Sequence, residues 1–247
     1  MLTKSMPSLY AKMNRFIVKF AIAILVSSFV IYQAAHIMWG EHYMIFFRGI
    51  IRNPLQVGAF SPCSVFVAQE ITKYVAADTK EGVVRVLEVG AGSGVLTTKL
   101  ENVLKHTGRD YILDVIEIDP DYCALLKKRF EDNKNVTIHC VNILDFNAAD
   151  NYDYLVSTLP FNVMDTAVIK NIFEQYEKMI VPNGILSYVE HIWLPDIKEK
   201  TLSGAEKQLF VEKRTTVNDF KDKYFLETVN IYRNITPLYV HHLQIKK

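Results

Sequence analysis

Glu88, Gly90, Gly92 and Gly94 stand at alternate positions in the run LEVGAGSG. Three glycines at that spacing let a backbone turn tightly and approach a ligand with no Cβ in the way. A dinucleotide loop reads G-x-G-x-x-G, with its third glycine one place later. Here the spacing is G-x-G-x-G, and the carboxylate before it suits a cationic ligand better than a pyrophosphate. Glu117, in YILDVIEIDP, follows Gly94 by 23 positions. An acidic residue about 20 positions past such a loop can accept hydrogen bonds from both hydroxyls of a ribose. Its neighbour Ile118 offers an apolar surface to an adenine. A third candidate is STLPFN, residues 157–162. Pro160 fixes the backbone and removes a donor, and Phe161 presents an aromatic face able to meet a cation.

Strands and helices must bring these residues together. VVRVLEV is a short β-branched apolar run and reads as a buried strand. VLTTKLENVLK after the glycines has helical spacing. YILDVIEI is a second strand, followed by a helix from DPDYCALLKKRF, and VTIHCVNILDF is a third strand. NYDYLV closes three strand–helix units, so it falls beside the first strand, and its carboxyl end faces the ligand of the glycine loop. AVIKNIFEQYEKMIVPNGILSYVEHIW then predicts a helix, a Pro-Asn-Gly turn and a fifth strand whose end carries Tyr188, Glu190 and His191.

The glycine loop with its two glutamates resembles the first motifs of the class I methyltransferases that use S-adenosylmethionine. That resemblance implies a Rossmann-like seven-stranded α/β sheet flanked by helices. It implies S-adenosylmethionine as cofactor and S-adenosylhomocysteine as product. It also implies cofactor contacts from Glu88, Gly90, Ala91, Gly92, Gly94, Glu117, Ile118, Asn142, Ile143 and Ser157. In the resembled family position 142 is commonly Asp and meets the adenine amino group. The amide oxygen of Asn142 can accept the same hydrogen bond, and Asp145 is the competing candidate.

The proline loop narrows the resemblance. Adenine N6-dimethylases of ribosomal RNA carry Asn-Leu-Pro-Tyr or close variants there, whereas this chain has Thr158-Leu159-Pro160-Phe161. Ser-x-Leu-Pro-Phe-Asn is closer to the bacterial phospholipid N-methyltransferases, which are similar to those dimethylases. Residues 52–71, RNPLQVGAFSPCSVFVAQEI, match as well: Arg52, Val57-Gly58-Ala59, Ser61-Pro62 and Ser64, with Cys63 where a Ser is usual. The family reading makes Arg52, Gly58, Ser61, Ser64 and Asn162 a cofactor lid and headgroup entrance, and puts Pro160 and Phe161 on the acceptor side. His191 or Tyr188 is expected to orient the amine. Toward the carboxyl terminus, KQLFVEKRTTV and YFLETVNIYRNITPLYVHHLQI resemble the last strands of the sheet, where Asn234 and Pro237 survive from an Asn-x-Pro-Pro-Ala-like segment.

The chain has 247 residues, 28 Lys plus Arg against 27 Asp plus Glu, and 50% hydrophobic residues. This balance gives no electrostatic footprint for a long nucleic acid. Cys63, Cys123 and Cys140 are odd in number and widely spaced, which predicts free thiols rather than a disulfide framework or a zinc site; no metal is expected. Residues 20–39, FAIAILVSSFVIYQAAHIMW, lack charged side chains and as a helix span about 30 Å, enough for a bilayer. The expected organisation is a membrane anchor over residues 1–43 and a methyltransferase domain over residues 44–247. Positive-inside counting puts the domain outside, but the cofactor is made in the cytosol. The expected location is therefore the cytoplasmic membrane with the domain facing the cytoplasm. The expected partners are a phospholipid membrane and an aminolipid, not nucleic acid. The expected reaction is methylation of the amine of phosphatidylethanolamine towards phosphatidylcholine, with an ornithine-type lipid as an alternative acceptor. Rival readings are ribosomal RNA adenine dimethylation, a non-catalytic lipid-surface module, and methylation of another membrane metabolite.

Overall fold

Residues 63–147, 152–192, 194–234 and 236–247 are described by the computed structural model. The chain divides into two units, Met1–Met44 and Ile45–Lys247, and the second contains the sheet. Its first strand, β1 (Val84–Val89), is buried at every position but Arg85. That near-continuous burial is what a parallel strand covered on both faces requires. β2 (Tyr111–Ile116), β3 (Val136–His139), β4 (Tyr152–Ser157) and β5 (Ile180–His191) run parallel to it, while β7 (Leu238–Gln244) runs antiparallel between β5 and β6 (Phe225–Ile231). The sheet order is β3-β2-β1-β4-β5-β7-β6. The chain leaves β1 toward β2 on one side and returns to β4 on the other, so a crevice opens at the carboxyl ends of β1 and β4.

Helices cover both faces. On one, α1 (Val65–Ile71), α2 (Lys73–Ala76), α3 (Val95–His106) and α4 (Pro120–Arg129) pack Val67, Ile71, Leu100, Leu104 and Leu126 against Val86, Leu113 and Val240. On the other, α5 (Thr166–Met179) and α7 (Gly204–Tyr224) bury Phe173, Tyr176, Val217 and Phe220 against Leu155, Leu186 and Leu243. A short α6 (Leu194–Thr201) precedes α7, and 3₁₀ turns occupy Ile143–Asp145 and Phe161–Val163.

Several expectations are corrected. KQLFVEKRTTV is not a strand but part of α7; its buried residues Phe210, Val217, Phe220 and Tyr224 fall at helical intervals. The third strand ends at His139, because Asn142 caps a 3₁₀ turn by accepting from the Leu144 N–H. The Pro-Asn-Gly segment belongs to β5, at a register irregularity opposite β4, with Asn183 at φ 63°. Cys123 and Cys140 are disulfide-bonded, with Cα atoms 5.8 Å apart. The residue spacing of 17 hid this pairing, which arises because α4 folds back along β3. Cys63 is free. Among the described residues no helix is long and apolar enough to cross a membrane. The expected anchor at residues 20–39, and Arg52, Gly58 and Ser61, lie outside the described residues.

A polar cluster ties α1 and α2 to the sheet. The fully buried His242 bonds through Nδ1 to Ser187 Oγ at 2.7 Å, and its Nε2 lies 3.4 Å from Glu70 Oε1. Lys73 bridges Glu70 and Glu227 at 2.5 and 2.6 Å, and the Tyr74 hydroxyl also donates to Glu227. Burial, helped by the Lys73 charge, lowers the His242 pKa from 6.5 to about 4. An unfolded chain takes up that proton near pH 6.5 and the native one does not. The stability contributed by the neutral ring is therefore full above pH 6.5 and is lost as pH falls toward 4, at up to about 1.4 kcal/mol per pH unit. Thermal unfolding followed from pH 7.5 to 4.5 should show a steeper loss of Tm for the parent than for His242→Gln. Parallel curves would contradict the assignment.

Candidate active site

The crevice is a cavity of about 510 Å³, within the range of small-molecule sites. Its floor is the glycine loop. Gly90, Gly92 and Gly94 all take positive φ (82°, 54° and 80°), which costs glycine little and other residues roughly 1–2 kcal/mol. Gly90 N–H donates to Ile116 O at 2.9 Å, bending the loop over the end of β2. A Cβ on Gly92 would meet nothing within 4 Å, whereas one on Gly94 would lie 2.5 Å from Leu126 Cδ2 and 3.1 Å from Arg129 Nη1. Gly92 therefore faces the open cavity, and Gly94 lets α3 approach α4.

Glu117 joins this loop to the second strand. Its Oε2 accepts from Gly92 N–H at 2.6 Å, and its Oε1 accepts from the N–H groups of Ile118 and Asp119 at 2.8 and 2.9 Å. Burial pushes its pKa up, while those three donors pull it down. A carboxylate offers about four lone-pair positions, so with three taken it is fixed in orientation and can still accept from a ribose hydroxyl. Beside it Ile118 is 59% exposed and lines the cavity with Tyr122, Val141, Asn142 and Ile143. This is an apolar slot with one amide at its edge. Asp145 is exposed and Asn142 is the nearer candidate for an adenine amine, because Asn142 lines the slot.

Glu88 lies behind the loop and is fully buried, and apart from the neighbouring Thr97 hydroxyl its carboxyl oxygens have no hydrogen-bond partner among the described residues. Burial raises its pKa to about 8; the Thr97 hydroxyl pulls it back and the Glu117 charge adds to the rise. A buried polar group without a partner calls for an explanation. An ammonium group, such as that on the methionine portion of S-adenosylmethionine, would satisfy it. The cradle at Gly92, the oriented carboxylate of Glu117 and the apolar slot together fit that cofactor, with Glu88 behind them.

The acceptor side is built by the 157–162 loop, the end of β5 and α7. Ser157 stays behind the wall: its Oγ accepts from Tyr176 OH at 2.9 Å and from Leu159 N–H at 3.3 Å. Thr158 ties the loop to the glycine turn, its N–H to Val89 O at 3.0 Å and its Oγ1 to Gly90 O at 2.6 Å. Pro160, Phe161 and Asn162 line the cavity. Phe161 is 6% exposed and wedged against Phe173 and Tyr188, with ring centroids 4.9 and 5.8 Å apart. Tyr188 and His191 line the cavity from β5, together with Glu190. Sequence patterning did not reveal α7, which contributes Phe210, Lys213, Arg214 and Val217; Arg214 is paired with Asp196 and Glu199, both at 2.6 Å. Nor did it reveal the corner in which Ser64 opens α1: its Oγ accepts from Val67 N–H at 3.4 Å, and its N–H donates to Asn234 Oδ1 at 2.9 Å. Asn234 Nδ2 in turn donates to Thr236 O. The carboxyl-terminal loop thus holds the residue at the expected base of the lid.

The ribosomal RNA adenine dimethylase family matches residues 64–191, just over half of the chain. The chain belongs to that family. An ornithine lipid N-methyltransferase of Singulisphaera acidiphila is 21% identical over 155 residues, covering 60% of this chain and 78% of the relative. A protein named "Probable ribosomal RNA small subunit methyltransferase A", from Methanococcoides burtonii, is 33% identical over 103 residues, covering 42% of this chain and 34% of the relative. Of the latter relative the chain therefore spans about a third. Among solved structures, the N-methyltransferase NodS of Bradyrhizobium japonicum WM9 in complex with S-adenosylhomocysteine superposes with TM-score 0.56 at 17% identity, over 81% of this chain and 98% of that one. This family member is an S-adenosylmethionine-dependent methyltransferase with the seven-stranded fold.

Gly92 and Gly94 separate binding from stability. Gly94→Ala should cost about 2–5 kcal/mol, combining left-handed strain with overpacking. Gly92→Asp should stay folded and lose calorimetric binding of S-adenosylhomocysteine. A Gly92→Asp protein that binds like the parent would move the cofactor elsewhere.

Proposed function

We propose that this chain transfers methyl groups from S-adenosylmethionine to the amine headgroup of a membrane aminolipid, with phosphatidylethanolamine as the leading acceptor and an ornithine-type lipid as the close alternative. The observation that carries this reading is the chemistry of the acceptor loop. Thr158 spends its hydroxyl on Gly90 O, and Phe161 is packed into aromatic neighbours. Neither presents the side-chain amide with which the dimethylases meet a nucleobase. Leu159, Val163, Met164, Ile172, Phe210 and Val217 form an apolar stretch of the wall, beside the polar Asn162, Glu190, Lys213 and Arg214, and that stretch suits a lipid's stem. The name of the Singulisphaera relative points the same way.

When bound, S-adenosylmethionine supplies a sulfonium methyl to a nucleophile. An alkylammonium has a pKa near that of lysine, about 10.4, and has no lone pair until it loses a proton. The apolar stretch of the cavity disfavours the charged form and so favours the reactive one. The Tyr188 hydroxyl is fully buried and lacks a hydrogen-bond partner among the described residues; it is placed to accept an N–H of the amine and orient its lone pair. His191 lines the same end. Most of the rate gain comes from this alignment and desolvation. Residues 20–39 would hold the enzyme to the cytoplasmic membrane with its domain facing the cytoplasm. Methylation of ribosomal RNA is the second reading, favoured by the family itself.

Purified full-length protein given radiolabelled S-adenosylmethionine, with aminolipid vesicles in one arm and ribosomal RNA in another, separates the two. Label should enter the lipid fraction. Label entering RNA alone would overturn the proposal.

A further inference from the structure

We propose that Glu190 is the acceptor-binding residue: its carboxylate holds the substrate's cationic nitrogen, and a row of polar side chains on the neighbouring strands keeps it in place. The inference rests on the aminolipid reading and names the group that selects an ammonium acceptor over a neutral one.

The register of the sheet builds the row. Ser157, the last residue of β4, pairs with Tyr188, and Glu190 lies two residues further along β5, on the same face and beyond the end of β4. It lines the cavity there. In the next strand His241 pairs with Tyr188, and on the strand after that Thr228 pairs with His241. The side chains connect in that order. His241 Nε2 lies 3.2 Å from Glu190 Oε2, and its Nδ1 lies 2.8 Å from Thr228 Oγ1. His241 is 3% exposed, and its ring packs on Tyr188 at 4.8 Å between centroids. In the neutral ring Nε2–H donates to the carboxylate while Nδ1 accepts from the Thr228 hydroxyl. One Glu190 oxygen is thereby anchored, in a residue that lines the cavity. A second observation marks the same spot as a ligand site: the buried, unpartnered hydroxyl of Tyr188 on the same face of β5.

A carboxylate belongs on that side for an electrostatic reason. The acceptor gives one proton to water, and its lone pair then forms the N–C bond while the S–C pair stays on sulfur. Positive charge therefore passes from sulfur to nitrogen. A fixed anion beside the nitrogen stabilises the charge where it develops, in a site with little water to screen it. Before it gives up its proton the ammonium is also held by that carboxylate, a contact that a neutral adenine amine does not make. The rival structural role would have Glu190 serve Lys213, which reaches the cavity from α7.

The test uses the full chain loaded with S-adenosylhomocysteine or S-adenosylmethionine. Calorimetry with decyltrimethylammonium below its micelle concentration, against a neutral decyl amphiphile, reads the cation preference without turnover. The parent should bind the ammonium at least about tenfold more tightly, and Glu190→Gln should abolish the difference while keeping the parent's affinity for S-adenosylhomocysteine. In methyl transfer to vesicles, Glu190→Gln should lower kcat/KM by about 10–100-fold, the scale of one charge-assisted contact, with Glu190→Asp partly restoring it. His241→Gln should lower it less. Separate vesicles of phosphatidylethanolamine and ornithine lipid distinguish the two sources of the ammonium. Glu190→Gln with parental activity on a lipid the parent methylates would overturn this inference and leave the aminolipid reading intact. Loss of the cation preference in Lys213→Gln as well would assign Glu190 to that lysine and overturn it too. A parent that methylates neither lipid removes the reading and the inference together.

Discussion

The Glu117 carboxylate is the constraint on which the site depends. It receives the N–H groups of Gly92, Ile118 and Asp119, so one buried side chain sets the height of the glycine loop, the start of α4 and the direction of its own remaining lone pair. Charge-assisted bonds of this kind are about twice as strong as neutral ones. The geometry of the loop follows from that anchor: Gly92 open to the cavity, Gly94 closed against Leu126, and Thr158 fastening the proline loop to Gly90. The acceptor end is registered to the cofactor end through this last bond and through the pairing of Ser157 with Tyr188.

The nucleotide half was legible in the sequence because each of its signals is local. A β-branched run, glycines at fixed spacing and an acid at the next strand end are short-range features that dictate their own conformation, and Gly90, Ala91, Gly92, Glu117, Ile118, Asn142 and Ile143 all line one cavity. Ser157 and Gly94 are near that wall but serve packing, a distinction that depends on which way a side chain points and not on its type. The acceptor half was less legible because its contacts are remote in sequence. His241 reaches Glu190 across 51 positions and Asn234 holds Ser64 across 170. The residues of α7 could have been read from the helical spacing of Phe210, Val217, Phe220 and Tyr224, but the resemblance to terminal strands displaced that signal.

Family membership and proposed acceptor point in different directions, and the difference lies in a few side chains. The fold and cofactor site are common to enzymes acting on many acceptors, so they carry no substrate information. What discriminates is the loop after β4 and the end of β5. There Thr158 is committed to the backbone, and Glu190 lines the cavity.

The central claim is that Glu117, oriented by Gly92, seats the nucleotide. Titration calorimetry of S-adenosylhomocysteine into Glu117→Gln tests it most directly. An amide must turn its NH2 toward either the Gly92 N–H or the N–H groups of Ile118 and Asp119, so affinity should fall about 10–100-fold against the parent, the scale of a hydrogen bond to a charged group. Equal affinities in the two proteins would contradict the account.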